Sequence, residues 1–287
     1  MMEKGKKIGF VCCSNAEKPE AVAVHELLRA VLRNHGVETL CSSYLYAEDG
    51  FFAGTGAERG RAVNELFRTP DVGAVCDLSG GDMANEVLEF LDFEAIHQSE
   101  AEFWGYSDLT TVLNAIYTKT GKASVLYQIK NLVGRCAVEQ QENFFSETLF
   151  DVPFRFLRGS RMEGTVLGGN IRCFLKLAGT EYFPDLTGKI LFLEANSGRV
   201  PQLVTYLSQL KQLKVFEKVS GVILGTFSQM EREKLSPTAE ELIMRYTGNL
   251  PVVKTNLVGH GADSKAMLIG GKYCIHVGDT VMKPERG

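Results

Sequence analysis

The chain has 287 residues, of which 45% are apolar and 23% charged, and its formal net charge is -4. This length allows two modest domains or one large domain with a well-buried core. The composition is typical of a globular protein, and the weakly acidic balance gives no indication of a nucleic-acid partner or an anionic membrane surface.

The N-terminal segment begins with basic residues, and the apolar run 8–13 that follows is too short for the hydrophobic region of a signal peptide. No apolar stretch is long enough to span a bilayer. The seven cysteines have no repeating pair spacing, so they predict neither a disulfide framework nor a zinc site. We therefore expect a protein of the reduced cytoplasm with no membrane partner.

The first half of the chain alternates strand and helix patterns. Apolar runs predict strands at 7–13, 37–41, 72–78 and 102–106. Helical periodicity predicts helices at 20–35, 57–68, 82–91 and 107–118. Repeated βα units of this kind imply a mainly parallel sheet covered by helices.

The segment 131–163 has no sustained period and predicts a crossing between two lobes. Its three arginines are interpreted as solvated residues of this connector: Arg155, Arg158 and Arg161. We therefore predict an α/β protein with two domains. Residues 1–150, including the start of the linker, would contain the mainly parallel sheet, and residues 151–287 would form an α/β or β-rich domain.

Alternating patterns resume after the crossing. Gly168-Gly169-Asn170 opens a short helix, and 201–213 predicts another. Further strands are predicted at 189–194, 221–225 and 251–256. Ser236 and Pro237 predict the N-cap and the first residue of a third helix. In the C-terminal tail, Gly270-Gly271 predicts the turn of a β-hairpin.

Ser107 lies where a predicted strand meets a helix, in the segment Gly105-Tyr106-Ser107-Asp108. In parallel sheets, functional groups collect at the carboxyl ends of strands, and a helix N-terminus favours a developing oxyanion. A glycine two residues earlier permits a tight elbow that exposes the hydroxyl. The alternative interpretation is that Ser107 only caps the helix, and the local pattern alone favours the cap.

Ser79-Gly80-Gly81 also follows a predicted strand. Adjacent glycines let a backbone approach a ligand closely, so the N–H groups of this turn could form half of an oxyanion hole. The N–H of Asp108 would supply the other half. A plain βα turn is the alternative interpretation, and it is the one that the turn by itself favours.

Glu194 and His260 are the remaining candidates for catalysis. Glu194 closes an apolar strand, where a carboxylate can orient a histidine, although a solvated strand end fits the pattern equally well. His260 lies between Gly259 and Gly261, which leave room beside the imidazole, and it is the best-placed of the five histidines to act as a base. The sequence contains no Walker A motif, dinucleotide fingerprint or HExxH motif.

In chain order, these segments resemble the LD-carboxypeptidase family of serine peptidases, which includes the microcin-immunity peptidases. The resemblance runs through nearly the whole chain. It depends on these segments: Ser79-Gly80-Gly81, Asn85-Glu86-Val87-Leu88, Leu91-Asp92, Gly105-Tyr106-Ser107-Asp108-Leu109-Thr110, Gly168-Gly169-Asn170, Ala178-Gly179-Thr180, Gly188-Lys189-Ile190-Leu191-Phe192-Leu193-Glu194 and Gly259-His260.

The resemblance implies a catalytic triad of Ser107, Glu194 and His260 that works through an acyl-enzyme. It also implies an N-terminal nucleophile domain, a C-terminal domain that supplies the glutamate and the histidine, and a homodimer. No metal or other cofactor is required.

Around the triad we expect an oxyanion hole formed by the backbone N–H groups of Gly81 and Asp108, with Gly80 as a further donor. We also assign Asn170 to substrate binding.

Two departures from the family pattern concern the substrate. Ala195 and Asn196 follow the glutamate, where the LD-carboxypeptidase branch usually has an aspartate and then an Asp-Arg pair. Leu126-Tyr127-Gln128-Ile129 stands where a segment containing Gly-Pro is typical. The microcin-immunity branch resembles the chain better at 188–194, but it tends to stack a tryptophan on a nucleotide, and we interpret Trp104 as a core residue.

The sequence thus predicts a serine peptidase that hydrolyses an amide bond in a small peptide or a peptide conjugate. The substrate would be a muropeptide ending in D-alanine or an aminoacyl-nucleotide-like toxin. Two alternatives from other classes are a non-catalytic binding protein with the same fold and a serine esterase or acyltransferase.

Overall fold

The computed structural model describes residues 5–47 and 50–285. Within these residues, the strands form two six-stranded sheets and one two-stranded sheet. The first sheet contains, in spatial order, Met267–Ile269 (β12), Ser124–Leu126 (β5), Glu102–Gly105 (β4), Val72–Asp77 (β3), Lys7–Val11 (β1) and Thr39–Cys41 (β2). Its neighbouring strands are parallel except for β12, which is antiparallel to β5.

The second sheet contains, in spatial order, Lys272–His276 (β13), Arg161–Asn170 (β8), Ile190–Ala195 (β9), Gly221–Phe227 (β10), Val252–Lys254 (β11) and Arg155–Arg158 (β7). Its four central strands are parallel, and β13 and β7 are antiparallel to their neighbours. The small sheet pairs Val152–Pro153 (β6) with Val281–Met282 (β14).

The α-helices are Val22–Asn34 (α1), Gly56–Arg68 (α2), Phe93–Gln98 (α3), Thr110–Thr120 (α4), Ala137–Phe145 (α5), Ile171–Leu175 (α6), Val200–Gln212 (α7), Val215–Lys218 (α8), Ser228–Arg232 (α9) and Ala239–Tyr246 (α10). Short 3₁₀ helices cover Pro19–Ala21, Ala84–Phe90, Ser107–Leu109, Ile129–Val133 and Thr148–Phe150. In the part of the chain that the structure describes, no helix has the length and apolar character needed to cross a membrane. The predicted α/β class, with a mainly parallel first sheet, is confirmed.

Helix α4 connects the two large sheets, because its Asn114 side chain exchanges two hydrogen bonds with the backbone of β8. Asn114 Nδ2 donates to Gly168 O at 2.8 Å, and Gly168 N donates to Asn114 Oδ1 at 2.9 Å. One apolar core includes side chains from both sheets. The division into residues 1–150 and 151–287 stays a prediction, and β12 from the second part lies in the first sheet.

The predicted β-hairpin at Gly270-Gly271 is wrong. The strands on either side of this turn belong to different sheets, since β12 pairs with β5 and β13 pairs with β8. Gly270 has φ +89°, a conformation that favours glycine, and the chain uses it to pass from one sheet to the other.

The predicted N-cap at Ser236 is also wrong, because Thr238 caps α10. Thr238 Oγ1 accepts a hydrogen bond from Glu241 N at 3.2 Å, and Glu241 Oε2 accepts one from Thr238 N at 2.9 Å. This reciprocal pair is a capping box, and it fixes the start of the helix two residues later than the Ser-Pro pair predicts.

The crossing segment 131–163 has more structure than its pattern predicts, since it contains α5 and β7. Arg158 is not a solvated connector residue: its Nε donates to Leu250 O at 2.7 Å, and its Nη2 donates to Thr247 Oγ1 at 2.6 Å. These bonds attach the edge strand β7 to the end of α10 and to the residue range that leads into β11.

Candidate active site

Ser107 lies at the end of β4 and adopts a left-handed backbone conformation with φ +56°. This conformation is strained for a residue with a side chain, and such strain is typical of functional turns. The cap position of the 3₁₀ helix Ser107–Leu109 is occupied by Tyr106, and Ser107 is the first residue of that helix, with its Oγ 3.1 Å from His260 Nε2. The interpretation of Ser107 as a helix cap is therefore wrong. A Cβ at Gly105 would lie 2.6 Å from Leu109 Cβ, so the tight elbow requires glycine there.

His260 lies in the loop after β11 and faces both other members of the predicted triad. Its Nδ1 is 2.8 Å from Glu194 Oε2. The loop lies close against β10, because a Cβ at Gly259 would approach Thr226 Oγ1 to 1.7 Å. The glycine beside His260 thus allows a backbone approach that any side chain would prevent.

Glu194 is fully buried at the carboxyl end of β9, so it is not a solvated strand end. Its carboxylate contacts three donors: His260 Nδ1 at 2.8 Å, Tyr106 Oη at 3.3 Å and Asn170 Nδ2 at 2.9 Å. A buried carboxylate is stable only when its oxygens are hydrogen-bonded. These donors fix the orientation of the carboxylate and therefore of the imidazole.

Tyr106 was not predicted from the sequence to belong to the site. Its hydroxyl donates to Glu194 Oε2 and lies 3.2 Å from His260 Nδ1, and its ring packs edge-on against the imidazole with centroids 4.8 Å apart. Burial, together with the negative charge of Glu194, raises the pKa of Tyr106 well above its usual value. The phenol therefore stays protonated and remains a hydrogen-bond donor. Its position directly before Ser107 is the one feature of the sequence that could have identified Tyr106 as a site residue.

Asn170 is buried at the end of β8, beside Glu194. It lies behind Glu194, where its Nδ2 donates to Glu194 Oε1 and its Oδ1 accepts a bond from Cys173 N at 3.4 Å, which caps α6. Its own N–H donates to Thr110 Oγ1 at 3.0 Å. Asn170 is 4% exposed and is not among the residues that line the cavity beside Ser107. Its contact with Glu194 indicates a role in orienting that carboxylate, and the assignment of Asn170 to substrate binding stays a prediction.

Gly80 and Gly81 line the same cavity as Ser107 and His260. Gly81 has φ +136°, and a Cβ there would lie 1.9 Å from Asn15 Oδ1. Asn15 N donates to Gly80 O at 3.2 Å. Because the C=O and N–H of a trans peptide point in opposite directions, this bond turns the Gly81 N–H away from Asn15.

The Asp108 side chain is fully buried, and it joins the 3₁₀ helix Ser107–Leu109 to the neighbouring loops. Its Oδ2 accepts hydrogen bonds from Ser14 Oγ at 2.7 Å and Ala84 N at 2.8 Å. Its Oδ1 accepts one from Lys176 Nζ at 2.5 Å. These partners hold the backbone of Asp108 in place directly after Ser107. The contacts with Ser14 and Lys176 were not predicted from the sequence.

The cavity beside Ser107 has a volume of about 400 Å³. It is lined by Ser79, Gly80, Gly81, Tyr106, Ser107, Gln128, Lys130, Asn131, Asn196, Gly259, His260 and Gly261. Trp104 is not among them: it is 6% exposed and packs against Tyr127, Phe144 and Phe150. Its assignment to the core is confirmed. Among the described residues, no three His, Cys, Asp or Glu side chains are arranged to hold a metal ion.

Comparisons with known proteins identify the family. Residues 8–127 match the model of the LD-carboxypeptidase N-terminal domain, and residues 163–275 match that of the LD-carboxypeptidase C-terminal domain. The "Probable murein peptide carboxypeptidase" of Bacillus subtilis (strain 168) is 26% identical over 302 residues, which cover 100% of this chain and 93% of that protein. The microcin C7 self-immunity protein MccF of Escherichia coli is 29% identical over 261 residues, which cover 77% and 75% of the two chains.

A solved structure of an MccF-like protein from Bacillus anthracis str. Ames has the same fold. It superposes with a TM-score of 0.88 at 24% identity and covers 99% of this chain and 98% of that chain. The two family models together span most of the sequence, with the N-terminal domain first and the C-terminal domain second. The chain is therefore a member of the LD-carboxypeptidase family.

Proposed function

We propose that this chain is a serine peptidase that hydrolyses an amide bond in a small peptide or peptide conjugate, with Ser107 as the nucleophile. One observation carries the proposal: a continuous series of contacts runs from Ser107 Oγ to His260 Nε2 at 3.1 Å and from His260 Nδ1 to Glu194 Oε2 at 2.8 Å. A nucleophile, a base and a group that orients the base are the elements of this chemistry.

The first half of the reaction forms an acyl-enzyme. Glu194 accepts a hydrogen bond from the Nδ1–H of His260 and remains ionised, so the proton stays on Nδ1 and the Nε2 lone pair is free. Nε2 then takes the hydroxyl proton of Ser107 as its Oγ attacks the scissile carbonyl carbon. The backbone N–H groups of Gly81 and Asp108 stabilise the oxyanion of the tetrahedral intermediate. The intermediate then collapses, the C–N bond breaks, and the protonated His260 gives its proton to the leaving amine.

In the second half, His260 removes a proton from a water molecule, which attacks the acyl carbon. The second tetrahedral intermediate collapses with Ser107 as the leaving group, and His260 returns the proton to its hydroxyl. The N-terminus of the helix that begins at Ser107 also points its partial positive charge toward the site, which favours both oxyanions.

The relatives suggest two substrate classes, since one is named for murein peptides and the other for immunity to microcin C7. We propose that the substrate of this chain belongs to one of them, either a muropeptide ending in D-alanine or an aminoacyl-nucleotide conjugate. Incubation with murein tetrapeptide and with aminoacyl-sulfamoyl nucleosides, followed by mass analysis of the products, identifies the scissile bond.

The test of the mechanism is Ser107→Ala, which we expect to abolish turnover of every substrate while the circular dichroism spectrum and the unfolding midpoint stay unchanged. Ser160→Ala is the matched control, because Ser160 is exposed and is not among the residues that line the cavity. Turnover that persists in Ser107→Ala would contradict the assignment of the nucleophile.

We also propose that the protein acts in the cytoplasm as a homodimer. All seven cysteines lie in the described part of the chain and are free thiols, which suits a reducing compartment. Light scattering during gel filtration tests the dimer, for which the expected mass is twice 31.7 kDa. Cell fractionation tests the location.

A further inference from the structure

We propose that Lys130, assisted by Asn131, binds the C-terminal carboxylate of a peptide substrate on the leaving-group side of the scissile amide. This inference rests on the proposed peptidase function and narrows its substrate class. The residues follow Leu126-Tyr127-Gln128-Ile129, the segment that departs from the family pattern, and the structure puts Gln128, Lys130 and Asn131 on the wall of the cavity beside Ser107.

The charge of the cavity wall favours an anion. Lys130 is the one lysine or arginine among the described residues that line the cavity, and no aspartate or glutamate of the described chain lines it. His260 is neutral when it acts as a base. A substrate group near this wall therefore meets the ammonium of Lys130, whose partner carboxylate, Glu17, is not part of the cavity lining.

The ammonium group of Lys130 is held in a fixed position from behind. Its Nζ donates to Glu17 Oε1 at 2.6 Å, and the other oxygen of Glu17 lies 3.3 Å from His25 Nε2. His25 is 3% exposed, and its Nδ1 is 2.8 Å from the hydroxyl of Tyr46. Burial opposes the ionisation of Glu17, but the bonds from His25 and Lys130 prevail and lower its pKa. Glu17 thus stays charged and anchors Lys130.

This anchor leaves donors for a ligand. A lysine ammonium has three N–H donors, of which Glu17 engages one. The neighbouring Asn131 side chain makes no hydrogen bond within residues 5–47 and 50–285, and it lines the same cavity. The Gln128 side chain is already engaged, because its Oε1 accepts a bond from Lys130 N at 3.2 Å and its Nε2 lies 3.5 Å from Ser79 O. Gln128 therefore positions the loop, and Lys130 and Asn131 are the groups available to bind.

The position of the anion in the substrate follows from the chemistry of a carboxypeptidase. The leaving residue carries its carboxylate on the carbon attached to the scissile nitrogen, so the carboxylate is only a few ångströms from the reacting bond. It must enter the same cavity as the amide. A carboxylate that meets an ammonium and an amide N–H forms charge-assisted hydrogen bonds, which are stronger than neutral ones.

The aromatic side chains of the cavity disfavour a nucleotide conjugate. The described aromatic side chains that line it are Tyr106 and His260, whose rings pack against each other. Trp104 is enclosed by other aromatic side chains and has no face toward the cavity. Since base recognition by stacking requires a free aromatic face, the observations favour a peptide with a free carboxylate.

The experiment compares two substrates that differ only at the anion: one peptide ending in D-alanine as the free acid and the same peptide as the C-terminal amide. We expect the wild-type protein to prefer the acid in kcat/KM by about 10- to 100-fold, the value of a hydrogen bond to a charged group. Lys130→Met should lower kcat/KM for the acid by a similar factor and leave that for the amide within about threefold. Lys130→Arg should retain most of the preference, because it keeps the charge.

Turnover of the amide is the internal control for folding and for the catalytic groups. Lys119→Met is the matched control, since Lys119 forms a similar ion pair with Glu181 and does not line the cavity. An equal fall on both substrates in Lys130→Met would overturn the proposal. So would a wild-type protein that does not distinguish acid from amide, or that turns over aminoacyl-sulfamoyl nucleosides with no effect of Lys130→Met.

Failure of the peptidase function gives a different result. If the wild-type protein hydrolyses neither peptide, calorimetric titration with the acid and the amide still tests the site. Tighter binding of the acid that is lost in Lys130→Met supports the carboxylate site without catalysis. Equal binding of acid and amide, or binding that is unchanged in Lys130→Met, contradicts it.

Discussion

Asn170 and His260 bind different oxygens of the Glu194 carboxylate: Asn170 Nδ2 donates to Oε1 at 2.9 Å, and His260 Nδ1 lies 2.8 Å from Oε2. A carboxylate held at both oxygens cannot rotate away from the imidazole. We therefore expect Asn170 to affect the reaction through Glu194 rather than through contact with the substrate.

Asn170→Ala should lower kcat by about 10- to 100-fold, because Glu194 loses a hydrogen bond to a charged group. KM should change little, since Asn170 does not line the cavity. Asn196→Ala is the comparison, because Asn196 does line it. Steady-state kinetics of both variants check the prediction, and a rise in KM with unchanged kcat for Asn170→Ala would restore the role in substrate binding.

Tyr106→Phe should lower kcat by about 10-fold while the protein stays folded, because it removes the donor to Glu194 but keeps the ring against His260. Tyr127→Phe is the matched control: the Tyr127 hydroxyl is also buried, but it donates to Gln140 Oε1 at 2.6 Å, away from the triad. We expect Tyr127→Phe to lower the free energy of unfolding and not kcat. Equal kinetic effects of the two variants would count against a role for the Tyr106 hydroxyl.

Gly81→Ala should abolish most activity and destabilise the turn by about 1–3 kcal/mol, because residue 81 has a positive φ and a Cβ would overlap Asn15. Gly80→Ala should be near wild type in stability, since a Cβ at Gly80 meets nothing within 4 Å. Urea unfolding and turnover of both variants provide the measurement. If Gly81→Ala unfolds and reacts like the wild type, the turn does not have the conformation described.

Stability should fall at alkaline pH. Burial raises the pKa of the Tyr106, Tyr127 and Tyr273 hydroxyls, whereas the same phenols in the unfolded chain ionise near pH ~10. Above that pH the folded state binds more protons than the unfolded state, so this contribution to stability is fully present below about pH 10 and is lost as the pH rises. Urea unfolding at pH 8 and pH 11 measures the loss.

A spectroscopic titration provides the second measurement of the same effect. Of the nine tyrosines, the three buried ones should keep their protons in the folded protein at a pH at which the phenols of the unfolded chain ionise. The absorbance change of phenolate at pH 11 should therefore be smaller in native protein than in urea. Equal absorbance in the two states would show that the buried phenols ionise normally.

The βα alternation predicted most elements, because strand and helix patterns are local. The pairing of β12 and β13 with different sheets was not predictable, since the turn at Gly270 looks the same whether its strands pair with each other or with distant partners. The start of α10 was predictable in principle: Thr238 and Glu241 have capping-box spacing, and the Ser-Pro pair before them gave a competing signal.

The candidate site, like the fold, has residues that local sequence patterns identify and residues whose roles depend on distant packing. Ser107, Glu194 and His260 stand at strand ends or between glycines, and such positions are visible in a sequence. The roles of Tyr106 and Asn170 depend on which side of Glu194 they face, and this follows from the packing of β4, β8 and β9. No local pattern specifies that arrangement.

The hydrogen bonds between Asn114 and Gly168 have a consequence for the evolution of the chain. They join α4, which follows Ser107, directly to β8, the strand that pairs with β9 and lies beside Glu194. We therefore expect the distance between Ser107 and Glu194 to be independent of the connection 131–163. Changes of length in the loops of that connection should leave the spacing of Ser107 and Glu194 unchanged. On the proposed role of Lys130, we expect substitutions in the 3₁₀ helix Ile129–Val133 to alter substrate preference while Ser107, His260 and Glu194 keep their spacing.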